Sequence, residues 1–227
     1  MWNRRWGLSL WLLGAMSLVN MAGCAGKGET VWLDLKPGIR APGTAEAQKD
    51  SPELVLVEAF DDLRPEKGKT GLRTHIWGGV TYFDVPGSLP GASVARLVGE
   101  YLAKTGRQVT INVVSSGPGQ PDRAGASGVM QGGADVIVTG QVEELSVHAK
   151  SRFGSTEISA KFHVLVLAKN KADGSTVRRV LEGARSRTVF WFEPEDVQAL
   201  VNAMLTDSLN RLLENISVEG KSWRLKS

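Results

Sequence analysis

The one cysteine of this 227-residue chain, Cys24, stands directly after an apolar run that closes with Met21-Ala-Gly23. A lone cysteine can neither close an intramolecular disulfide nor supply the thiolate set of a structural zinc site. At an N-terminus newly exposed by cleavage, however, its thiol is a good acceptor for a diacylglyceryl group. The other residues that could do chemistry are sparse. His75, His148 and His163 are isolated, with no His-Glu-x-x-His or other ligand spacing, so no metal is expected. The nearest approach to Gly-x-Ser-x-Gly is Gly91-Ala-Ser-Val-Ala95, where Ser93 reads instead as the N-cap of a helix. Asp61-Asp62 and Glu143-Glu144 have the residue types of a glycosidase pair. Neighbours on a strand point to opposite faces, though, so each doublet is expected to offer one carboxylate per face. The glycine-rich passage Ser115 to Gly133 lacks the Gly-x-x-x-x-Gly-Lys-Ser/Thr pattern of a phosphate loop. The expectation is a protein that binds rather than catalyses, with no cofactor.

The elements that position these residues begin with a leader. Met1 to Trp6 carries Arg4 and Arg5, and Gly7 to Met21 is an uncharged run of about fifteen residues. That is the length of a signal-peptide core and short of the ~20 residues that span a bilayer. Small residues at Ala22 and Gly23 let a peptidase reach the backbone, and the whole resembles a bacterial lipobox with Met21 in place of the usual leucine. The chain therefore divides into a signal peptide (1–23), a lipidated N-terminus and linker (24–53) and a periplasmic domain (54–227). Ala25 stands where an aspartate would resemble an inner-membrane retention signal. This favours the periplasmic face of the outer membrane and leaves the inner membrane open. The formal charge of +3 falls to +1 once Arg4 and Arg5 leave, which gives no reason to expect nucleic acid as a partner.

Periodicity supplies the domain. Leu54 to Phe60 reads as a buried strand followed by a turn in which Asp62 pairs with Arg64, and Val80 to Val85 as a second strand. The polar stretch between them, 66–79, reads as a loop. Val94, Leu97, Val98, Tyr101 and Leu102 repeat at helical spacing, and a strand follows from Gln108 to Val114. Residues 134–147, 157–168 and 176–190 read as three long strands, the last two joined by a turn at Asp173-Gly174. Glu193-Pro194-Glu195-Asp196 opens a long helix whose buried stripe runs from Val197 to Ile216. The order predicts an α+β fold: a mostly antiparallel sheet with two main helices packed on one face.

Taken together, the lipobox, "FDDLRP", a helix, "GADVIVTG" leading into long strands, and a C-terminal helix resemble the YajG-like family of small Gram-negative lipoproteins. The same Gly-Ala-Asp-strand-Gly arrangement is similar to periplasmic domains of the curli-secretion and penicillin-binding-protein-activator type. The resemblance covers Cys24 to about Ile216 and implies an envelope location without an established chemistry.

Three surface features are candidates for binding. Lys67, Lys69, Arg73 and Trp77 mix cations with an aromatic on the 66–79 loop, the favoured surface for an envelope protein partner. Arg185 and Arg187, with Arg179 at the same parity, form a cationic stripe on the last long strand, whose alternative reading is a solvated face. Val189-Phe-Trp-Phe192 reads as the strand-to-helix corner of the core. The expected function is a lipid-anchored accessory protein, held in the membrane through acylated Cys24 and acting by protein docking. The alternatives are a small-molecule, lipid or glycan-binding lipoprotein and, third, an envelope hydrolase.

Overall fold

The computed structural model describes residues 27–38, 53–113, 133–214 and 216–226. Cys24 and the glycine-rich passage 115–132 lie outside them. In chain order the elements are β1 (Lys27–Trp32), β2 (Leu54–Glu58), β3 (Asp61–Asp62), β4 (Gly71–Thr74), β5 (Val80–Asp84), a short 3-10 turn, α1 (Pro90–Lys104) and β6 (Gln108–Asn112). They continue with β7 (Val136–Arg152), β8 (Ser155–Asn170), β9 (Thr176–Val189), α2 (Pro194–Asn210), β10 (Ile216–Glu219) and β11 (Ser222–Leu225).

The spine is β7, seventeen residues long. One edge pairs antiparallel with β8 along its whole length, and β8 pairs antiparallel with β9. The other edge is shared end to end by three short parallel partners, β2, β3 and β4. β6 extends the sheet from β2, while β5 and then β1 extend it from β4. Five of the eight pairings in this nine-stranded sheet are parallel, and the sheet curls into a half-barrel. This corrects the expected mostly antiparallel sheet. The long hairpins follow one another in sequence and were legible, whereas parallel partners are joined through distant crossovers that leave no local signal.

Alternation fills the concave face. Ile158, Ala160, Phe162, Val164, Val166 and Ala168 of β8 are all buried there, as their period of two predicts. β7 contributes Val136, Val138 and Val142, then Leu145, Val147 and Ala149. The parity changes because Glu143 is an extra residue: Val142 pairs Val164 while Glu144 pairs His163, a β-bulge. α1 covers β6, β2 and this end of β7 with Val94, Leu97, Val98, Tyr101 and Leu102, each fully buried apolar side chain contributing about 1.5–3 kcal/mol. It starts at Pro90, so Ser93 lies within the first turn, its N–H already bonded to the Leu89 carbonyl, and does not cap the helix.

α2 lies across β9 and β8. Its N-terminus is a capping box, with Glu193 and Asp196 each accepting the other's backbone N–H. The helix also holds the chain leaving β1: Gln198 bonds both backbone groups of Asp34, and Asn202 Oδ1 accepts from Lys36 N at 3.0 Å. The apolar stripe expected to end at Ile216 stops with the helix at Asn210. Ile216 instead opens the β10–β11 hairpin, docked by Trp223, whose N–H and carbonyl both bond the buried Asn170 amide at 2.8 Å.

Candidate functional site

The bulge that resets β7 also makes its convex surface. Because Glu143 is inserted, Glu143 and Glu144 both lie on the face away from the core. The expectation of one carboxylate per face is thereby overturned for this doublet. Glu143 Oε2 sits 2.9 Å from His163 Nδ1, and Glu144 Oε1 lies 4.0 Å from Lys161 Nζ and accepts from Ser146 Oγ at 3.0 Å. The second doublet does not join them as an acid. Arg64 donates to both oxygens of Asp62 at 2.9 and 3.0 Å, and these bonds hold the carboxyl below its ordinary value. A general acid requires the opposite displacement.

The Asp62–Arg64 pair, which the sequence predicts, fixes one end of the segment joining β3 to β4. Arg64 is buried and also reaches the Leu145 carbonyl at 3.5 Å. The other end is fixed by Asp84, whose fully buried carboxylate accepts from Lys69 Nζ (3.1 Å), Thr70 Oγ1 (3.1 Å), Ser88 Oγ (2.6 Å) and its neighbour Val85 N (2.9 Å). Burial pushes this carboxyl up, but the four hydrogen bonds outweigh burial and its value lies below the ordinary one. Between the two clamps, residues 64–70 stand as a wall over the convex face. They enclose with β4, β5 and β7 an open groove of about 620 Å³. Its lining includes Pro65, Leu72, Tyr82 and Leu145, with Glu144, Ser146 and His148 along one side. The register explains the floor: Leu72 faces Tyr82 across β4–β5 and His148 across β4–β7.

The residues singled out in the sequence are dispersed by the fold. Lys69 lines the groove and lies 5.5 Å from the centroid of the Trp32 ring, whereas Lys67, in the same segment, is exposed and does not line it. The 66–79 loop contains a strand, β4, and Arg73 on it turns to the concave side, stacking 3.7 Å over Phe192 and donating to Ser151 Oγ at 3.0 Å. Trp77 projects from the turn that follows. Arg179, Arg185 and Arg187 do share a face, but it is the face that α2 covers. Arg185 pairs with Asp207, Arg187 lies 3.6 Å from Asp196, and Arg179 donates to the Arg211 carbonyl at 3.1 Å. Cys24 lies outside the described residues. The groove itself was missed, since it depends on the bulge and on β4. Trp32 stays half exposed while its neighbour Leu33 is buried, so backbone pairing and Leu33 hold the N-terminal segment.

Among the described residues no group of three or more His, Cys, Asp or Glu side chains could hold a metal ion. None of their helices is long and apolar enough to cross a membrane.

No protein-family model matches the chain, and no curated protein matches it. Solved structures show partial likeness. A Xanthomonas campestris protein of the DUF330 family is 10% identical, with 81% of this chain and 92% of that one covered at a TM-score of 0.49. A PelC variant from Paraburkholderia phytofirmans, crystallised as a dodecamer, is 14% identical over 68% and 86% of the two chains at 0.35. Lipoprotein GNA1162 from Neisseria meningitidis is 11% identical over 70% and 99% at 0.33. One of these three neighbours is a lipoprotein. With TM-scores below 0.5, none of them lends its role to this chain, and no match identifies the YajG-like family.

Proposed function

We propose that the chain is a lipid-anchored protein of the bacterial envelope, held through acylated Cys24 at the periplasmic face of the outer membrane, that works by docking another protein and not by catalysis. The observation that carries the docking reading is the groove between residues 64–70 and β7. It is open to solvent, its wall is clamped at both ends by ion pairs that each have one buried partner, Arg64 and Asp84, and Leu72 and Tyr82 offer an apolar floor with polar groups along one rim. Such a pattern suits an extended protein segment: apolar anchors supply affinity and a polar rim sets register. The carboxylates near it already have partners in His163, Lys161 and Arg64, which favours recognition over acid–base work.

The test places a photocrosslinking amino acid at Leu72 and at Glu66, both lining the groove, in the full chain in cells. The expected result is one protein captured at both positions, whose purified form binds the wild-type chain and loses at least tenfold, about 1.4 kcal/mol, on Leu72→Glu. Circular dichroism checks that the variant is folded. Capture of a lipid or glycan in place of a protein would turn the reading to small-ligand binding. No specific capture by acylated, folded protein would overturn docking at this groove.

A further inference from the structure

The four most exposed aromatic residues among those described, Trp77, Phe153, Phe190 and Trp191, are 84–95% accessible. In sequence they are scattered over more than a hundred residues, and the strand register collects them. Lys27 pairs with Val80, Val80 with Thr74, Thr74 with Lys150, Lys150 with Glu157 and Glu157 with Thr188. These residues form one row straight across the sheet from β1 to β9. Trp77 lies in the β4–β5 turn just beyond this row, Phe153 at the tip of the β7–β8 hairpin, and Phe190 and Trp191 where the chain leaves β9. Both hairpin tips turn at a glycine with positive φ, Gly78 (+88°) and Gly154 (+76°), so each aromatic projects from a tight turn. Single exposed apolar residues are ordinary, but four aromatics on one rim call for a partner.

The occupant is indicated by where the chain enters. β1 runs parallel to β5, so the residues before Lys27 leave the sheet at the same end as the turn before Val80, which carries Trp77. Cys24 is three residues upstream, a reach of about 10 Å even if fully extended. The row itself is about 24 Å wide at the usual strand spacing of about 4.8 Å. We infer that this aromatic rim is a second membrane contact: it rests in the headgroup region of the bilayer that holds the acylated Cys24, and so fixes the orientation of the domain on its short tether. Tryptophan and phenylalanine on an apolar face favour that interface, and exposed Lys150 beside them suits the phosphates there, while Arg152 pairs with Glu157 at 3.3 Å. The inference rests on the lipid-anchor reading.

The experiment reads both independently. The full chain, expressed with its leader, is reconstituted into vesicles of phosphatidylethanolamine and phosphatidylglycerol doped with a diazirine-bearing phospholipid. Mass spectrometry then reports the acyl mass on Cys24 and the residues that carry lipid adducts. Adducts are expected at residues 76–77, 153 and 190–191, and not at Glu219–Lys221 at the opposite end. The W77S/F153S/F190S/W191S variant is expected to keep the acyl mass and the circular dichroism spectrum and to lose most of those adducts. Acylated protein whose rim carries no more lipid than Glu219–Lys221 overturns the inference while the anchor stands. A Cys24 without acyl mass overturns the anchor. In that case rim adducts still support the contact, and their absence overturns it too.

Discussion

Asp84 holds the groove wall, and its removal should be costly in a way that can be worked out bond by bond. Its carboxylate is buried and accepts four hydrogen bonds. In Asp84→Ala, Lys69 and Ser88 can turn to water, since both are exposed. Thr70 and the Val85 N–H cannot, because both residues are buried. Two orphaned buried donors at about 1–3 kcal/mol each predict a loss of about 2–6 kcal/mol. Asp84→Asn still accepts from Thr70 and Val85 N and should lose about 1–2 kcal/mol. The pH dependence has a definite sign. The folded carboxyl lies below its ordinary value of 3.8, so its contribution is fully present above that value and is lost as the pH falls through the lower folded value. The gap between wild type and Asp84→Asn should therefore be widest near neutrality and narrow below about pH 4. Urea unfolding from pH 7 down to pH 3 measures both effects. An Asp84→Ala loss under about 1 kcal/mol, or a gap that stays constant over this range, would show that Asp84 does not hold the groove wall through these bonds.

Gly71→Ala tests the β4–β7 junction. A Cβ there would lie 1.8 Å from the Val147 carbonyl oxygen, a backbone atom that can yield only if the strands part. A loss of about 3 kcal/mol or more is expected in urea unfolding, with crosslinking at Leu72 reduced. Asn170→Ala removes the reciprocal pair of bonds to Trp223 in a buried site. It should lose about 2–4 kcal/mol and strip hydrogen-exchange protection from residues 216–225 while leaving β7 and β8 protected. Equal loss of protection everywhere would show that the hairpin is not a separable unit.

The groove and the aromatic rim use different parts of one sheet. The rim is the end of the strands, and the groove lies further along β7 on the convex face. A domain standing on its rim would hold the groove sideways, with Leu72 and His148 two residues along their strands from the row, about 7 Å. The shared stretch 66–79 serves both: its lysine end belongs to the groove wall and its tryptophan end to the rim.

What the sequence determined by itself was whatever has a local period or a local chemistry. The alternation Ile158 to Ala168, the helical spacing from Val94 to Leu102, the proline and acids that open the helix before Val197 and the Asp62–Arg64 pair could all be read in place. Each depends on residues within a few positions of one another. The leader and Cys24 lie outside the described residues, and their reading stands on the sequence alone. The tertiary structure alone decided what depends on register. It set three parallel partners along one edge of β7, and it inserted Glu143 so that two adjacent carboxylates share a face. It also laid α2 over the arginine stripe and drew Trp77, Phe153, Phe190 and Trp191 to one rim. A single extra residue reverses every side chain beyond it, and pairing between distant strands carries no periodic trace, so neither could be seen until the strands were aligned.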